Sequence, residues 1–467
     1  MRDRIRKLNE QPFRTDAEYV LYWSQMNRRA TFNHALDFAI ELANEHGLPV
    51  LFYEGLTCTY RHANDRLHTF ILEGVPDTQR VLDDAGVGYV FYLRRTTKDR
   101  NDLVYLLAER AAAVVTDDYP VFVAARHNER VPLKMDVAYF AVDSSCIVPM
   151  NKHLKREYAA YTIRPKIAKL LPEYLCRPDI PKPRRVWAEV RSEFHVEVTR
   201  QNIGELTASC EIDHSVPVVS DHGGNAAAEE RLSHFLEVNL RQYARLRNEP
   251  SAHATSNLSP FLHFGHISSL EVALRVREYA QRHHLIADEF LEELVVRREL
   301  AFNFARFATN PKSFDDLPNW AIATMNKHAS DKRSPSFTRA EMEEARTYDP
   351  LWNATQTELL LRGKIHGYYR MYWGKKIIEW SNTYEDALDL MIYLHDRYAI
   401  DGRDPNTYTN ILWCFGLHDR PWFERPIFGT LRFMSLEGMK RKTEVEAYIK
   451  EISAMEASSK LSARLKA

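Results

Sequence analysis

The chain has little cysteine, no long apolar run and almost no net charge, and each shortage excludes a class of protein. Its five cysteines (Cys58, Cys146, Cys176, Cys210, Cys414) are odd in number and never spaced as CxxC, which argues against a disulfide framework and a zinc site. They read as reduced, mostly buried thiols, and no metal is expected. No stretch stays apolar for the roughly 20 residues that a membrane-crossing helix needs. The opening MRDRIRKLNEQPF lacks the apolar core and cleavage site of a secretory signal. A cytoplasmic protein without a membrane partner is expected, nucleoid-associated if the source is prokaryotic. A formal charge of −1 announces no global basic field for nucleic acid. Neither GxGxxG nor GxxxxGK(S/T) occurs, so dinucleotide and triphosphate loops of the usual kind are unsupported. Internal repeats and low-complexity tracts are missing as well.

What is present falls into two halves. At 467 residues the chain suits two domains and a connection. Up to about residue 175, short apolar strands (YVLYW, LPVLFYEGL, AAAVVTDDYP) alternate with amphipathic helices such as NHALDFAIELANEHG, the pattern of parallel βαβ units. A doubly wound, Rossmann-like α/β domain is expected over 1–175, with a ligand pocket of unreadable chemistry. From 176 to 225 the text turns Pro-rich and polar (LCRPDIPKPRRV, SVPVVSDHGGN) and reads as an interdomain linker. From 226 to 467 the periodicity is helical almost throughout, predicting an all-α domain that carries most of the tryptophans.

Four stretches of that second half carry chemistry. TSNLSPFLHFGHIS (Thr255–Ser268) sets hydroxyls and Asn257 before a Pro-opened helix. There an anion is stabilised, although a capping turn is the commoner use of such residues. In EELVVRREL, Glu293 and Arg297 lie one helical turn apart among apolar neighbours, so part of this charge is expected to be buried with a partner or ligand. MYWGKKIIEW puts Trp373 and Trp380 seven residues apart, about 10.5 Å along one helix face. Taken alone, that spacing is most often core packing. The DGRDP turn can hold a neighbouring arginine, and Arg370 is the one to pair with Asp401.

Local charge is uneven despite the neutral sum. Arg362–Trp380 holds five Lys or Arg against one Glu, and Asn410–Thr443 holds six against three. Within the second run, aromatics interleave with arginines, which suits base stacking beside gripped phosphates.

SNLSPFLHFG, VRREL, DPLWNATQ, GKIHG, YRMYWGKKIIEW, IDGRDPNTY and ERPIFGTLRFM together, with REYAAYTIRPKI further forward, closely resemble the class II cyclobutane pyrimidine dimer photolyases of the photolyase and cryptochrome superfamily. The resemblance spans nearly the whole chain. It implies FAD, reduced in the active state, in the helical domain. The flavin-binding positions would be Tyr243, the run Thr255, Ser256, Asn257, Leu258 and Ser259, then Arg297, Gly367, Arg370, and Asp401 with Gly402 and Arg403. The implied reaction is light-driven electron transfer to a pyrimidine dimer flipped out of UV-damaged DNA. Glu293 would hydrogen-bond the dimer, with Met371 and Trp413 packed against it. Arg420, Trp422, Arg432 and Lys440 would hold the distorted DNA. Trp352, Trp373 and Trp380 would relay electrons from the surface, helical spacing keeping the last two within hopping reach. A monomer is expected, and a second antenna chromophore such as a deazaflavin is compatible.

Three places depart from the family pattern. LHD replaces LND, setting His395 where an asparagine near the flavin is usual. An imidazole titrates near neutrality and an amide does not, so His395 would alter the protonation or stability of the flavin radical. NTYTN replaces a loop with two glycines, and WCFGLHD is one residue short. A cryptochrome-like photoreceptor is therefore the runner-up, and a flavin-free helical nucleic-acid-binding protein the third reading. The absence of a long tail after KRKTEVEAYIKEIS favours repair over signalling.

Overall fold

A computed structural model describes residues 2–188 and 192–466, the last five of these by their helical backbone only. Residues 189–191 of the expected linker lie outside the described residues. Six strands form one sheet: β1 (Ile5–Lys7), β2 (Tyr19–Ser24), β3 (Val50–Thr57), β4 (Gly88–Arg94), β5 (Ala111–Asp117) and β6 (Ala138–Val142). Their order is β1-β6-β5-β2-β3-β4, parallel throughout except for β1, which runs antiparallel to β6. Every residue of β2 and β5 is buried, as happens when helices cover both faces of a parallel sheet. This is the expected doubly wound α/β architecture, followed by a helical part.

Strand β1 went unanticipated because three residues carry no period. The apolar β6, five residues long, cannot be told from a helix fragment by periodicity. Strand order reverses between β2 and β5, where open α/β sheets hold ligands. There, Asp117 accepts hydrogen bonds from the backbone N–H groups of Gln25, Met26 and Asn27 at 2.7–3.0 Å. The chain's own turn packs onto this end of the sheet.

The expected linker is more than a strap. Val198, Leu206 and Cys210 are buried in a cluster that also contains sheet residues and helical residues as far as Leu300. The two halves are further tied by Arg66, 1% exposed, on the Asp65–Leu72 helix. It donates to the carbonyls of Leu359, Leu360, Tyr398 and Pro217 at 2.6–3.2 Å. Three of these carbonyls belong to the last turns of the Pro350–Arg362 and Tyr384–Tyr398 helices; the Leu359 carbonyl also accepts from Gly363 N–H, whereas Leu360 and Tyr398 lie where the helix runs out of donors. Tyr119, just beyond β5, adds a 2.7 Å hydrogen bond to Asp404.

EMEEARTYDPLWNATQTELLLRG, which reads as one helix, forms two, Arg339–Glu343 and Pro350–Arg362. Asp349 caps the second by accepting from Trp352 N at 2.9 Å, and Pro350 sits in the first turn, where its missing N–H costs nothing. No helix among the described residues is long and apolar enough to cross a membrane. Four cysteines are buried and Cys176 is exposed.

Candidate functional site

A cavity of about 490 Å³ opens among the C-terminal helices, within the range of small-molecule sites. Its walls include Tyr243, all of Thr255–Ser259, Glu293, Gly367, Arg370 and Asp401 from the sequence-predicted set. Asn257 adopts a left-handed φ of 54°, turning the hydroxyl run inward. The helix that follows, Ser259–His263, is a single turn. Anion affinity here therefore rests on hydroxyls and on Lys364, with little help from a helix dipole. Lys364 donates to Asn257 Oδ1 at 3.0 Å, and burial pulls its pKa down to about 8. This lysine belongs to the GKIHG motif. It enters the wall because Gly363 ends the preceding helix at φ +66°, where an added Cβ would stand 2.8 Å from Ile400 Cγ1.

Arg370 and Asp401 do pair: Arg370 Nη2 donates to both carboxylate oxygens at 3.2 Å, and Ser259 Oγ donates to Asp401 Oδ2 at 2.7 Å. Burial opposes the charge on Asp401, but the Arg370 and Lys364 cations outweigh it and hold its pKa at about 2. Glu293 accepts from Arg247 at 2.7 Å at the cavity rim.

Three predicted flavin-binding positions lie elsewhere. Arg297 is exposed, paired with Glu292 at 3.2 Å, and Arg298 lines the cavity instead. The reason is local: Glu292–Arg297 is a π-helical segment, and i→i+5 winding brings residue 298, not 297, under Glu293. The resemblance implies Arg297 at the flavin, whereas in the structure it is Arg298 that lines the cavity. Arg403 is buried behind the wall, donating to the Asp396 and Ala399 carbonyls, so it ties down the end of the Tyr384–Tyr398 helix. Gly402 is packed so tightly there that a Cβ would lie 2.5 Å from His395 O. Met371, half-buried on the Gly367–Trp380 helix, is not among the described cavity-lining residues. Thr407 and Asn410, which replace the two family glycines, do line the cavity, on a helix Pro405–Trp413 where a loop was expected.

His395 lies behind Arg370. It is buried, Nδ1–H donates to Met391 O at 2.9 Å, and Nε2 has no partner. Burial first, and the Arg370 charge second, lower its pKa to about 4. Its ring meets Trp373 edge-on at 5.0 Å. Trp373 in turn stacks on Trp352, with ring centres 6.3 Å apart and planes within 2°, and Trp352 meets Trp380 at 5.4 Å and 71°. All three indoles are essentially fully buried. Trp373 and Trp380 share one helix face and are joined through Trp352. A gap of about 10.5 Å along a helix exceeds ring contact, and Trp352 from the adjacent helix fills it.

The lysines between them are not a solvated face. Lys375 donates to Cys414 O at 2.5 Å and lies 5.4 Å from the Trp413 ring centre. Arg432 is sandwiched between Trp413 (5.1 Å) and Trp422 (4.2 Å) and held by two hydrogen bonds to Asp419, at 2.9 and 3.0 Å. Arg420 lies 5.3 Å from the Trp422 ring centre. Lys440 is outside this stack, 3.4 Å from Glu446.

The cavity suits FAD. Cations and hydroxyls cluster at one part of its wall, and three buried nitrogens in or beside it, on His366 (Nε2), Arg370 (Nε) and His395 (Nε2), lack partners among the described residues.

No family model matches the chain. Curated relatives do. A deoxyribodipyrimidine photo-lyase of Methanothermobacter thermautotrophicus is 39% identical over 456 residues, covering 97% of this chain and 98% of its own length. Proteins of that name from Arabidopsis thaliana (36% identical; 97% and 92% covered) and Potorous tridactylus (33%; 97% and 85%) also align. Among solved structures, a class III photolyase from Agrobacterium tumefaciens superposes with a TM-score of 0.66 at 17% identity, covering 93% of this chain and 86% of its own. A Synechocystis cryptochrome gives 0.65 at 16%, with 90% and 85% covered. These distant structures share the fold, whereas the near-full-length relatives settle the family: the chain belongs to the deoxyribodipyrimidine photo-lyases.

Proposed function

We propose that the protein repairs cyclobutane pyrimidine dimers in DNA with light, using FAD held in the helical cavity. The observation that carries this reading is the sequence from the cavity wall at Arg370 and Asp401, whose charges act on His395, through ring contacts into three buried indoles. Indoles in such contact suit electron relay to the cavity. Bound FAD supplies a light-triggered one-electron donor for the dimer.

The chain's own residues do the rest. Thr255–Ser259 and Lys364 would hold the pyrophosphate, the ammonium of Lys364 standing beside the hydroxyl run at Asn257. Arg370 and Asp401 flank the ring, and Asp401 keeps its charge because its pKa lies near 2. His395, with Nδ1–H committed to Met391, offers Nε2 only as an acceptor and so biases where a proton rests beside the cofactor. Glu293 hydrogen-bonds the flipped dimer, and Met371 and Trp413 pack against it. The Arg420, Trp422 and Arg432 group, aided by Lys440, grips the damaged strand, with Asp419 setting the position of Arg432. Residues 1–175 form an antenna-type domain that accepts a second chromophore such as a deazaflavin, joined through 176–225 to the catalytic part at 226–467. The protein works as a monomer.

The test is to irradiate dimer-containing DNA with the purified, FAD-loaded protein in light and in darkness. Loss of dimers in light alone supports the reading. A yellow protein that leaves dimers intact in both conditions overturns it.

A further inference from the structure

The contacts His395–Trp373, Trp373–Trp352 and Trp352–Trp380 put Trp380 at the far end of the three indoles. Trp380 is 1% exposed, so a dissolved reductant cannot reach it directly. Lys376 Nζ lies 5.6 Å from the ring centre. Glu379 pairs with it at 2.8 Å, yet a nearby ammonium still raises the cost of positive charge on the indole. Tyr348 offers the way out. Its ring is 5.6 Å from Trp380 at 64°, Phe337 packs against both at 5.2 and 5.9 Å, and the residue is 57% exposed. The other nearby tyrosine, Tyr372, shares Lys376 with Trp380 but is buried, its hydroxyl donating to Asp349. A radical on Tyr372 would be out of reach of a dissolved reductant.

We propose that Tyr348 is the terminal electron donor of the stack, a redox-active surface residue that refills Trp380 and is itself restored by a soluble thiol. The inference rests on the reading above, since the initial oxidant is photoexcited oxidised flavin in the cavity. The step balances. The Trp380 radical cation gains one electron and becomes the neutral indole, while Tyr348 loses one electron and its O–H bond breaks, the proton leaving to water. A thiolate then gives one electron to the tyrosyl radical, which takes a proton from water, and the thiyl radicals pair as a disulfide.

The test is flash excitation of the oxidised, FAD-loaded protein, followed by transient absorption and by electron paramagnetic resonance with ring-deuterated tyrosine. The native protein should show a tryptophan radical giving way to a tyrosyl radical whose hyperfine pattern narrows on deuteration. In Tyr348→Phe, which removes only an exposed hydroxyl, the tyrosyl signal should vanish, the tryptophan radical should persist, and thiol-dependent photoreduction should fall severalfold. Tyr372→Phe should retain the tyrosyl signal. A native protein with a tryptophan radical but no tyrosyl radical would overturn this inference and leave the relay standing, as would a signal that survives Tyr348→Phe. Absence of the tryptophan radical too would overturn the relay and the inference together.

Discussion

Asp401→Asn keeps the shape of the side chain and removes its charge, leaving Arg370 and Lys364 facing one another in a buried wall. The magnitude follows from the structure. A carboxylate held at a pKa of about 2 against an ordinary 3.8 carries about 2–3 kcal/mol of stabilisation in its charged form. Deleting one member of a buried pair costs about 3–5 kcal/mol by comparison, because the partner is left uncompensated. A loss of about 3 kcal/mol is expected. With about 2.1 cal/mol/K per residue over 467 residues, the unfolding entropy is about 1 kcal/mol/K, so the melting temperature should drop by about 3 °C.

The sign with pH is fixed by the depressed pKa. The stabilisation is fully present above 3.8 and is lost as pH falls through about 2. The native-to-variant difference should therefore be the same at pH 7 and pH 5. The assay is thermal unfolding of both proteins, without added flavin, at those two pH values, followed by flavin content per chain after gel filtration. A variant as stable as the native protein, or a difference that collapses between pH 7 and 5, would refute the reasoning. The variant is also expected to lose flavin on the column.

His395 also loses stabilisation on acidification, although here the fold favours the uncharged form. Its neutral form is favoured in the fold, with pKa about 4 against 6.5, so the native protein loses up to about 3 kcal/mol between pH 6.5 and 4. His395→Asn should gain on the native protein over that window, measured by urea unfolding at stepped pH, and parallel curves would contradict this. Trp352→Phe removes the bridge between Trp373 and Trp380 and should cut flavin photoreduction to a small fraction of the native rate, while repair by chemically reduced protein continues. Arg432→Ala should weaken DNA binding across sequences and lower the salt slope of log Kd by about 1 in a fluorescence titration. Arg66→Ala takes the donor from the Leu360 and Tyr398 carbonyls at the ends of two helices and should destabilise the chain by about 3 kcal/mol, read by chemical denaturation.

The parts of this protein legible in one dimension are those that repeat locally or depend on neighbours in the chain. Apolar runs marked β2, β3 and β5, 3.6-residue spacing marked the helical half, and turn residues marked the DGRDP turn. The Arg370–Asp401 pair joins segments 31 residues apart and was within reach only because an acidic turn calls for a nearby cation. Where the backbone departs from its regular repeat, counting fails. The π-helical turn at Glu292–Arg297 moves the inward arginine from 297 to 298, and nothing in EELVVRREL reports that extra residue per turn.

Burial and partnership were decided only by the tertiary structure, because both depend on what another segment brings. Lys375 and Lys376 look like a solvated pair until Cys414, Trp413 and Glu379 close over them, and Lys364 gains its place only when Gly363 turns the chain toward Asn257. Trp373 and Trp380 are spaced too far apart to touch. It is the neighbouring helix, carrying Trp352, that makes two aligned indoles into one continuous stack. Local order could thus be read from residue type and spacing, whereas the cavity and its electron path exist only through contacts between segments distant in the chain.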